Sequence, residues 1–232
     1  SIEDPSEAIE NVHTTQTVLE YARATGVDNA LFASSREVYG EANELVCVEG
    51  EERIADCANP YGASKLSGEA LCRAYESCYG QNVGILRFTN VYGRFDDNNR
   101  VVPLFIAQAL NGEKLNVHGA AKILDFIYIE DCVDAIMGAI NRIKQVVGET
   151  INIGSGYATP LTELARVIEY RVDNCPGYRI DDCRTGEPTK IAADITKAKA
   201  VINYEPKHDL EEGLTRTINW YRDRPKLLTS LR

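Results

Sequence analysis

Tyr61 and Lys65 lie four residues apart in the run Asn59-Pro60-Tyr61-Gly62-Ala63-Ser64-Lys65. Pro60 suits the first turn of a helix, where its missing N–H would have no intrahelical partner in any case. Tyr61 and Lys65 then occupy positions i and i+4 on one helix face. An ammonium beside a phenol favours the phenolate, which brings the tyrosine toward the range where it exchanges protons near neutrality. Tyr-x-x-x-Lys alone also occurs on ordinary solvated helices, so its meaning depends on the elements around it.

Two apolar strands flank that helix. Asn29-Ala30-Leu31-Phe32-Ala33-Ser34-Ser35 reads as a buried strand ending in two hydroxyls, followed by Arg36-Glu37-Val38-Tyr39-Gly40. Val83-Gly84-Ile85-Leu86-Arg87-Phe88 is a second strand, leading to Thr89-Asn90 and Val91-Tyr92-Gly93. Before them, Ala8, Ile9, Val12, Val18, Leu19 and Ala22 recur at helical spacing over about Glu7 to Thr25, with Asp4 or Ser6 as the cap and Gly26 as the stop. Residues 41 to 58 are polar and acidic and read as a solvated surface excursion beside the site. Further on, the pattern predicts a helix over Leu104–Leu110, a strand over Lys114–Gly119 and a helix over Val133–Ile140. A strand at Thr150–Ile153 follows, then helices from Thr159 to about Val172, Asp194 to Ala200 and Leu210 to Tyr221, with Trp220 packed against the core.

Bulk properties exclude several function classes. At 232 residues the chain can build one large α/β domain, or a domain with a smaller lobe. A formal net charge of -10 argues against nonspecific nucleic-acid or anionic-membrane binding, although a local arginine cluster can still hold an anionic substrate. The seven cysteines show neither Cys-x-x-Cys pairs nor histidine partners at metal spacing, so no metal site is expected and Cys72 and Cys132 read as reduced core residues. No apolar run approaches the roughly 20 residues that span a bilayer, and no secretion signal is evident; a cytoplasmic location is the expectation.

Taken together, the strand with its terminal Ser34-Ser35, the Tyr61-x-x-x-Lys65 helix, the strand ending at Asn90 and the segment Asp125-Phe126-Ile127-Tyr128-Ile129-Glu130-Asp131 resemble the extended short-chain dehydrogenase/reductase family, in its nucleotide-sugar epimerase and dehydratase branch. The resemblance implies a Rossmann-like, doubly wound parallel sheet with a smaller α/β substrate-binding lobe. It assigns residues 1–93 and about 131–156 to the dinucleotide-binding part, and about 94–130 and 157–232 to the lobe. Ser35, Tyr61 and Lys65 would be the catalytic group, and Asn11, Ser34, Tyr61, Lys65 and Phe88 would face an NAD cofactor. Glu37, Asn90, Arg100, Val101, His118 and Arg184 would face a nucleotide-sugar, a UDP-sugar above all. The implied reaction is 4-epimerisation of the UDP-glucose/UDP-galactose type through transient oxidation at sugar C4. The helices at about 7–25 and 60–79 would form a homodimer interface or, equally, simply cover the sheet.

Two departures from the family pattern bear on this. No Gly-x-x-Gly-x-x-Gly turn occurs in the 232 residues, so the strand, turn and helix that grip the dinucleotide pyrophosphate are absent from this stretch. Relatives carry an arginine immediately before Asp125, where this chain has Leu124, and a leucine cannot make a bidentate charge-assisted contact. Lys122, two residues away, is expected to point elsewhere. Two rivals therefore stand beside the epimerase: a 4,6-dehydratase or decarboxylase of the same family, which Glu37 favours and Arg36 disfavours, and a catalytically silent binding module.

Overall fold

The computed structural model describes residues 5–41, 44–96, 98–183 and 189–228. The chain runs as α1 (Ser6–Thr25), β1 (Asn29–Ser35), β2 (Val46–Cys47), α2 (Pro60–Tyr79), β3 (Asn82–Phe88), β4 (Asn90–Tyr92), α3 (Val101–Leu110), β5 (Leu115–His118), β6 (Ile123–Leu124) and β7 (Phe126–Tyr128). It continues through α4 (Ile129–Asn141), α5 (Ile143–Val146), β8 (Thr150–Ile153), β9 (Thr159–Pro160), α6 (Leu161–Arg171), β10 (Tyr178–Asp181), β11 (Lys190–Ala193), α7 (Thr196–Ile202), α8 (Leu210–Arg222) and α9 (Pro225–Leu228).

Helix α1 begins one residue earlier than expected, and Ser6 lies inside it rather than capping it; the N-cap is Pro5, which makes no side-chain cap, and Asp4 falls outside the described residues. Its end is as read, at Gly26 with φ of 72°, a left-handed conformation that glycine adopts without a Cβ penalty. Strands β1, β3 and β8 form a parallel sheet in the order β1-β3-β8. The register sets Ser35 beside Phe88 and Phe88 beside Ile153, so the carboxyl ends of all three strands finish together. In open α/β sheets that edge is where ligands bind.

The remaining strands extend this frame. Strands β4 and β7 pair in parallel, as do β5 and β10, while β2, β11, β6 and β9 lie side by side. One apolar cluster gathers Phe105, Ile106, Leu115, Val117, Leu164, Ile168 and Leu214 from α3, β5, α6 and α8, with Trp220 packed against it. A second joins Leu86, Ile151 and Ile153 of the parallel sheet to Ala193, Ala198, Ile202 and Tyr204.

The described residues of 41 to 58 are mostly exposed, as expected of a surface excursion, but the stretch is tied to the body at several points. Strand β2 pairs with β11, Cys47 is buried, and the Glu49 carboxylate accepts the Asn152 N–H at 2.7 Å. The physical reason lies in the sheet: Arg87, 1% exposed within a strand of buried apolar neighbours, needs anions, and Glu52 supplies one at 2.8 Å. All seven cysteines are free thiols, with Cys72 and Cys132 buried as expected. Among the described residues, no helix is long and apolar enough to cross a membrane and no cluster of side chains could hold a metal ion.

Candidate active site

The site begins with how closely α2 seats on β1. A Cβ added at Gly62 would stand 2.6 Å from the Glu37 carbonyl oxygen, and one at Gly68 would stand 2.5 Å from the Phe32 ring. Only glycine lets the helix approach the strand and the turn after it this closely. Asn59 caps the helix: its Oδ1 accepts the Gly62 N–H at 2.8 Å while its Nδ2 donates to Glu37 Oε2 at 2.9 Å. The start of α2 is thereby fixed against the end of β1.

This closure brings Ser35, Tyr61 and Lys65 together. The Ser35 Oγ accepts the Glu37 N–H at 3.2 Å, and Ser35 and Tyr61 line the same cavity. Lys65 Nζ donates to the Ala33 carbonyl at 2.9 Å and lies 5.4 Å from the Phe32 ring centroid and 5.7 Å from that of Tyr61. The electrostatics correct the expectation that Lys65 acidifies the phenol. Burial pushes the Tyr61 pKa above its ordinary value, against the pull of the Ser35 hydrogen bond and the charge of Arg100 and Arg36. Burial also lowers the Lys65 pKa. Arg100 and Arg36, both outside the Tyr-x-x-x-Lys motif, pull the phenol's pKa down, and Glu37 pushes it up.

These groups open onto a cavity of about 680 Å³ at the carboxyl ends of β1 and β3, a size typical of small-molecule sites. Of the residues singled out from sequence, Ser34, Ser35, Glu37, Tyr61, Lys65, Phe88, Asn90, Arg100, Val101 and His118 all line it. Ser34 also donates to Glu69 at 2.5 Å, and Asn90 Nδ2 donates to the Asp125 carbonyl at 2.7 Å. Asn11 is set apart from that lining: it sits on α1 and donates to Ser64 at 3.4 Å. Arg184 lies outside the described residues.

Sequence reasoning passed over several residues that the fold brings here. Arg36 lines the cavity and pairs with Glu37 at 2.9 Å. Lys122 lines the same wall as Leu124, contrary to expectation, because residues two apart on extended backbone share a face. Behind the wall, Arg87 makes a two-pronged contact with Glu69 at 2.9 and 2.6 Å and donates to the Tyr39 hydroxyl at 3.0 Å. Its signal was available: an arginine inside a strand of buried residues must be paired. Asp125, fully buried, accepts from Ser155 N and Oγ at 2.8 and 2.7 Å, Gly156 N at 3.0 Å and Ala193 N at 3.2 Å, which ties β7 to the turn after β8. Burial pushes its pKa up against the pull of those donors.

Charge completes the chemistry. The described residues lining the cavity include four cations (Arg36, Lys65, Arg100 and Lys122) and two carboxylates, Glu37 and Asp96, in a chain whose formal net charge is -10. A cationic cleft within an acidic protein is suited to an anionic small molecule. A parallel sheet with a hydroxyl, a phenol and an amine at its carboxyl edge defines a Rossmann-type enzyme fold of the short-chain dehydrogenase/reductase kind.

Residues 1–154 match the model of the NAD dependent epimerase/dehydratase family, and the chain belongs to that family. Over 212 residues it is 34% identical to YtcB, an uncharacterized UDP-glucose epimerase of Bacillus subtilis, a match covering 91% of this chain and 66% of that protein. It is 29% identical to a dTDP-glucose 4,6-dehydratase of Streptomyces griseus, covering 91% and 64%. The crystal structure of a UDP-glucose 4-epimerase from Thermotoga maritima, with UDP-glucose, superposes with a TM-score of 0.89 at 30% identity, covering 96% of this chain and 73% of that one. The chain thus spans just under two thirds of the length of the first two relatives.

Proposed function

We propose that this chain carries the catalytic and substrate-binding parts of an NAD-dependent UDP-sugar 4-epimerase. The observation that carries the reading is that Ser35, Tyr61 and Lys65 line one net-cationic cavity, with Tyr61 and Lys65 on the same helix face. Tyr61 accepts the proton of the sugar C4 hydroxyl, and Ser35 hydrogen-bonds the same oxygen as it becomes a carbonyl. The proton returns from Tyr61 when the sugar is reduced on its other face. Arg36 and Arg100 stabilise the phenolate that takes this proton and that is left again once the proton has returned.

The residues present fit the nicotinamide–ribose end of a dinucleotide: Lys65 and Tyr61 emerge together from α2, with Ser34 and Phe88 beside them on the cavity wall. Bound there, NAD supplies reversible hydride acceptance at the carbon being oxidised. Lys65 and Tyr61 would hold its ribose hydroxyls. The division into a dinucleotide-binding part (1–93 and about 131–156) and a substrate lobe (about 94–130 and 157–232) belongs to the same proposal. So does a homodimer through α1 and α2, supported by Ile9, Val18 and Tyr21 at 75%, 57% and 69% exposure on α1. Val18→Glu should then shift the sedimentation coefficient toward that of a monomer, whereas an unchanged value refutes the interface.

Product analysis by NMR tests the reaction, with UDP-glucose, UDP-glucuronate and dTDP-glucose each supplied with NAD. The expected product is the C4 epimer of a UDP-sugar. A 4-keto-6-deoxy product would establish the dehydratase reading instead. That second reading draws on Glu37 in the cavity wall, but Glu37 is ion-paired to Arg36 and hydrogen-bonded to Asn59, which holds it as a structural anion. Absence of NAD binding at millimolar concentration would favour a silent binding module.

A further inference from the structure

Strands β1, β3 and β8 carry polar side chains at one register level. Ser34 pairs with Arg87, and Arg87 with Asn152, one residue short of the strand ends at Ser35, Phe88 and Ile153. The three are 4%, 1% and 1% exposed, among apolar neighbours such as Leu86 and Ile151. Residues paired across strands share a face of the sheet, so they form a buried polar row one step behind the edge that opens on the cavity. Glu69 spans the first gap, accepting from Ser34 Oγ at 2.5 Å and from the Arg87 guanidinium at 2.9 and 2.6 Å. The Tyr39 hydroxyl spans the second, accepting from Arg87 Nη1 at 3.0 Å and donating to Asn152 Oδ1 at 2.7 Å. Apolar side chains of similar volume often replace a buried ion pair with no loss of stability. Stability alone therefore does not account for a charged row beside the reacting groups.

Glu69 joins this row to the helix that carries Tyr61. It lies one turn beyond Lys65 on α2, and Lys65 Nζ donates to the Ala33 carbonyl at 2.9 Å. Two side chains on one helix face thus hold consecutive residues of β1, Ala33 and Ser34, immediately before Ser35. Neither Glu69 nor Arg87 lines the cavity.

We propose that Glu69 is a positioning residue for the reaction: it holds Ser34, and through it the end of β1 that bears Ser35, in register with Tyr61. Arg87 fixes the Glu69 carboxylate in turn. The assignment rests on the nucleotide-sugar reading above and adds a group that acts on the chemistry without touching what reacts.

Turnover of UDP-glucose and of UDP-glucuronate with NAD, together with calorimetric binding of UDP, is compared for the chain, Glu69→Gln, Ser34→Ala and the double variant. Glutamine keeps the volume and loses the two-pronged contact with Arg87. A shift of reacting groups by about 1 Å predicts kcat lower by about tenfold to a hundredfold in Glu69→Gln, with KM and UDP affinity as in the unsubstituted chain. The double variant should be no slower than the slower single one, because the two residues act as a unit. Losses that multiply, an unchanged kcat in Glu69→Gln, or turnover and UDP affinity lowered alike overturn the assignment. Should Glu69→Gln not fold, Arg87→Lys decides, since it keeps a cation in the row without the two-pronged grip. Its kcat must fall while UDP affinity holds; an unchanged kcat refutes the role. If the unsubstituted chain turns over neither sugar, the epimerase reading fails, a distinct result, and positioning is read from the Tyr61 phenol. Its ultraviolet titration, taken against Tyr61→Phe, should move toward 10 in Glu69→Gln as the loosened wall admits water; an unmoved midpoint refutes the role.

Discussion

The cavity is made of two walls assembled in different ways. The β1–α2 wall comes from neighbouring stretches of chain: a strand ending at Ser35, a short turn, and a helix starting at Pro60. The facing wall draws on β5, β6, β9 and α6, and β6 is itself held by β11, some 65 residues further along the chain. Ser35, Tyr61 and Lys65 sit on the local wall, where a helix cap and two glycines set the geometry. On the long-range wall, pairing of short strands decides which side chains line the cavity. On the proposed reading, the contrast separates residues that would make the reaction from residues that would hold what reacts.

The sharpest way to break that contrast is at Tyr61. Tyr61→Phe should lower turnover by about 10²–10⁴-fold, the usual contribution of a positioned acid–base group, while UDP-sugar binding by calorimetry is retained. Equal loss of both would place Tyr61 among the holding residues. Next in size is the buried support behind the catalytic wall. Arg87→Met leaves Glu69, 6% exposed, without its bidentate partner, and should cost about 3–5 kcal/mol in denaturant unfolding. A loss well under 1 kcal/mol would mean that water or Ser34 compensates the carboxylate.

Smaller effects refine the same picture. Gly68→Ala forces a Cβ to within 2.5 Å of the Phe32 ring and should cost about 1–3 kcal/mol by overpacking. Because α2 carries both Tyr61 and Lys65, turnover should fall with stability; a fully active, fully stable variant would show that the close seat is dispensable. The smallest effect is spectroscopic. The Tyr61 phenol, read from the difference in ultraviolet titration between the chain and Tyr61→Phe, should ionise above pH 10 because burial raises its pKa. Arg100→Gln should raise it further. The sign for stability follows: with the folded pKa above the unfolded one, the contribution of this group is complete below pH 10 and is lost as pH rises through the folded value. A midpoint below 10 would restore Lys65 as the dominant influence.

Most of the local wall was legible in the sequence. The strand at Asn29–Ser35, the helix from Pro60 to Tyr79 and its stop at Gly80 all follow from short-range rules of patterning, capping and glycine placement. The acidic stretch 41–58 was not legible, because Glu52 reads as solvated until its partner Arg87 is known to be buried 35 positions away. Lys122 was misjudged for a local reason: residues two apart on extended backbone share a face, which puts it on the same wall as Leu124. The Tyr61 pKa was misjudged because i+4 spacing brings Lys65 near the ring but does not reveal desolvation, nor that the charges of Arg100, Glu37 and Arg36 act on the phenol.

The sequence by itself determined most of the elements, since helix period, strand alternation and capping act over a few residues. Only the tertiary structure decided how buried the phenol is and which charged side chains share the cavity with it. Those properties depend on desolvation and on charges distant in sequence, and both come into being only when the walls close on each other.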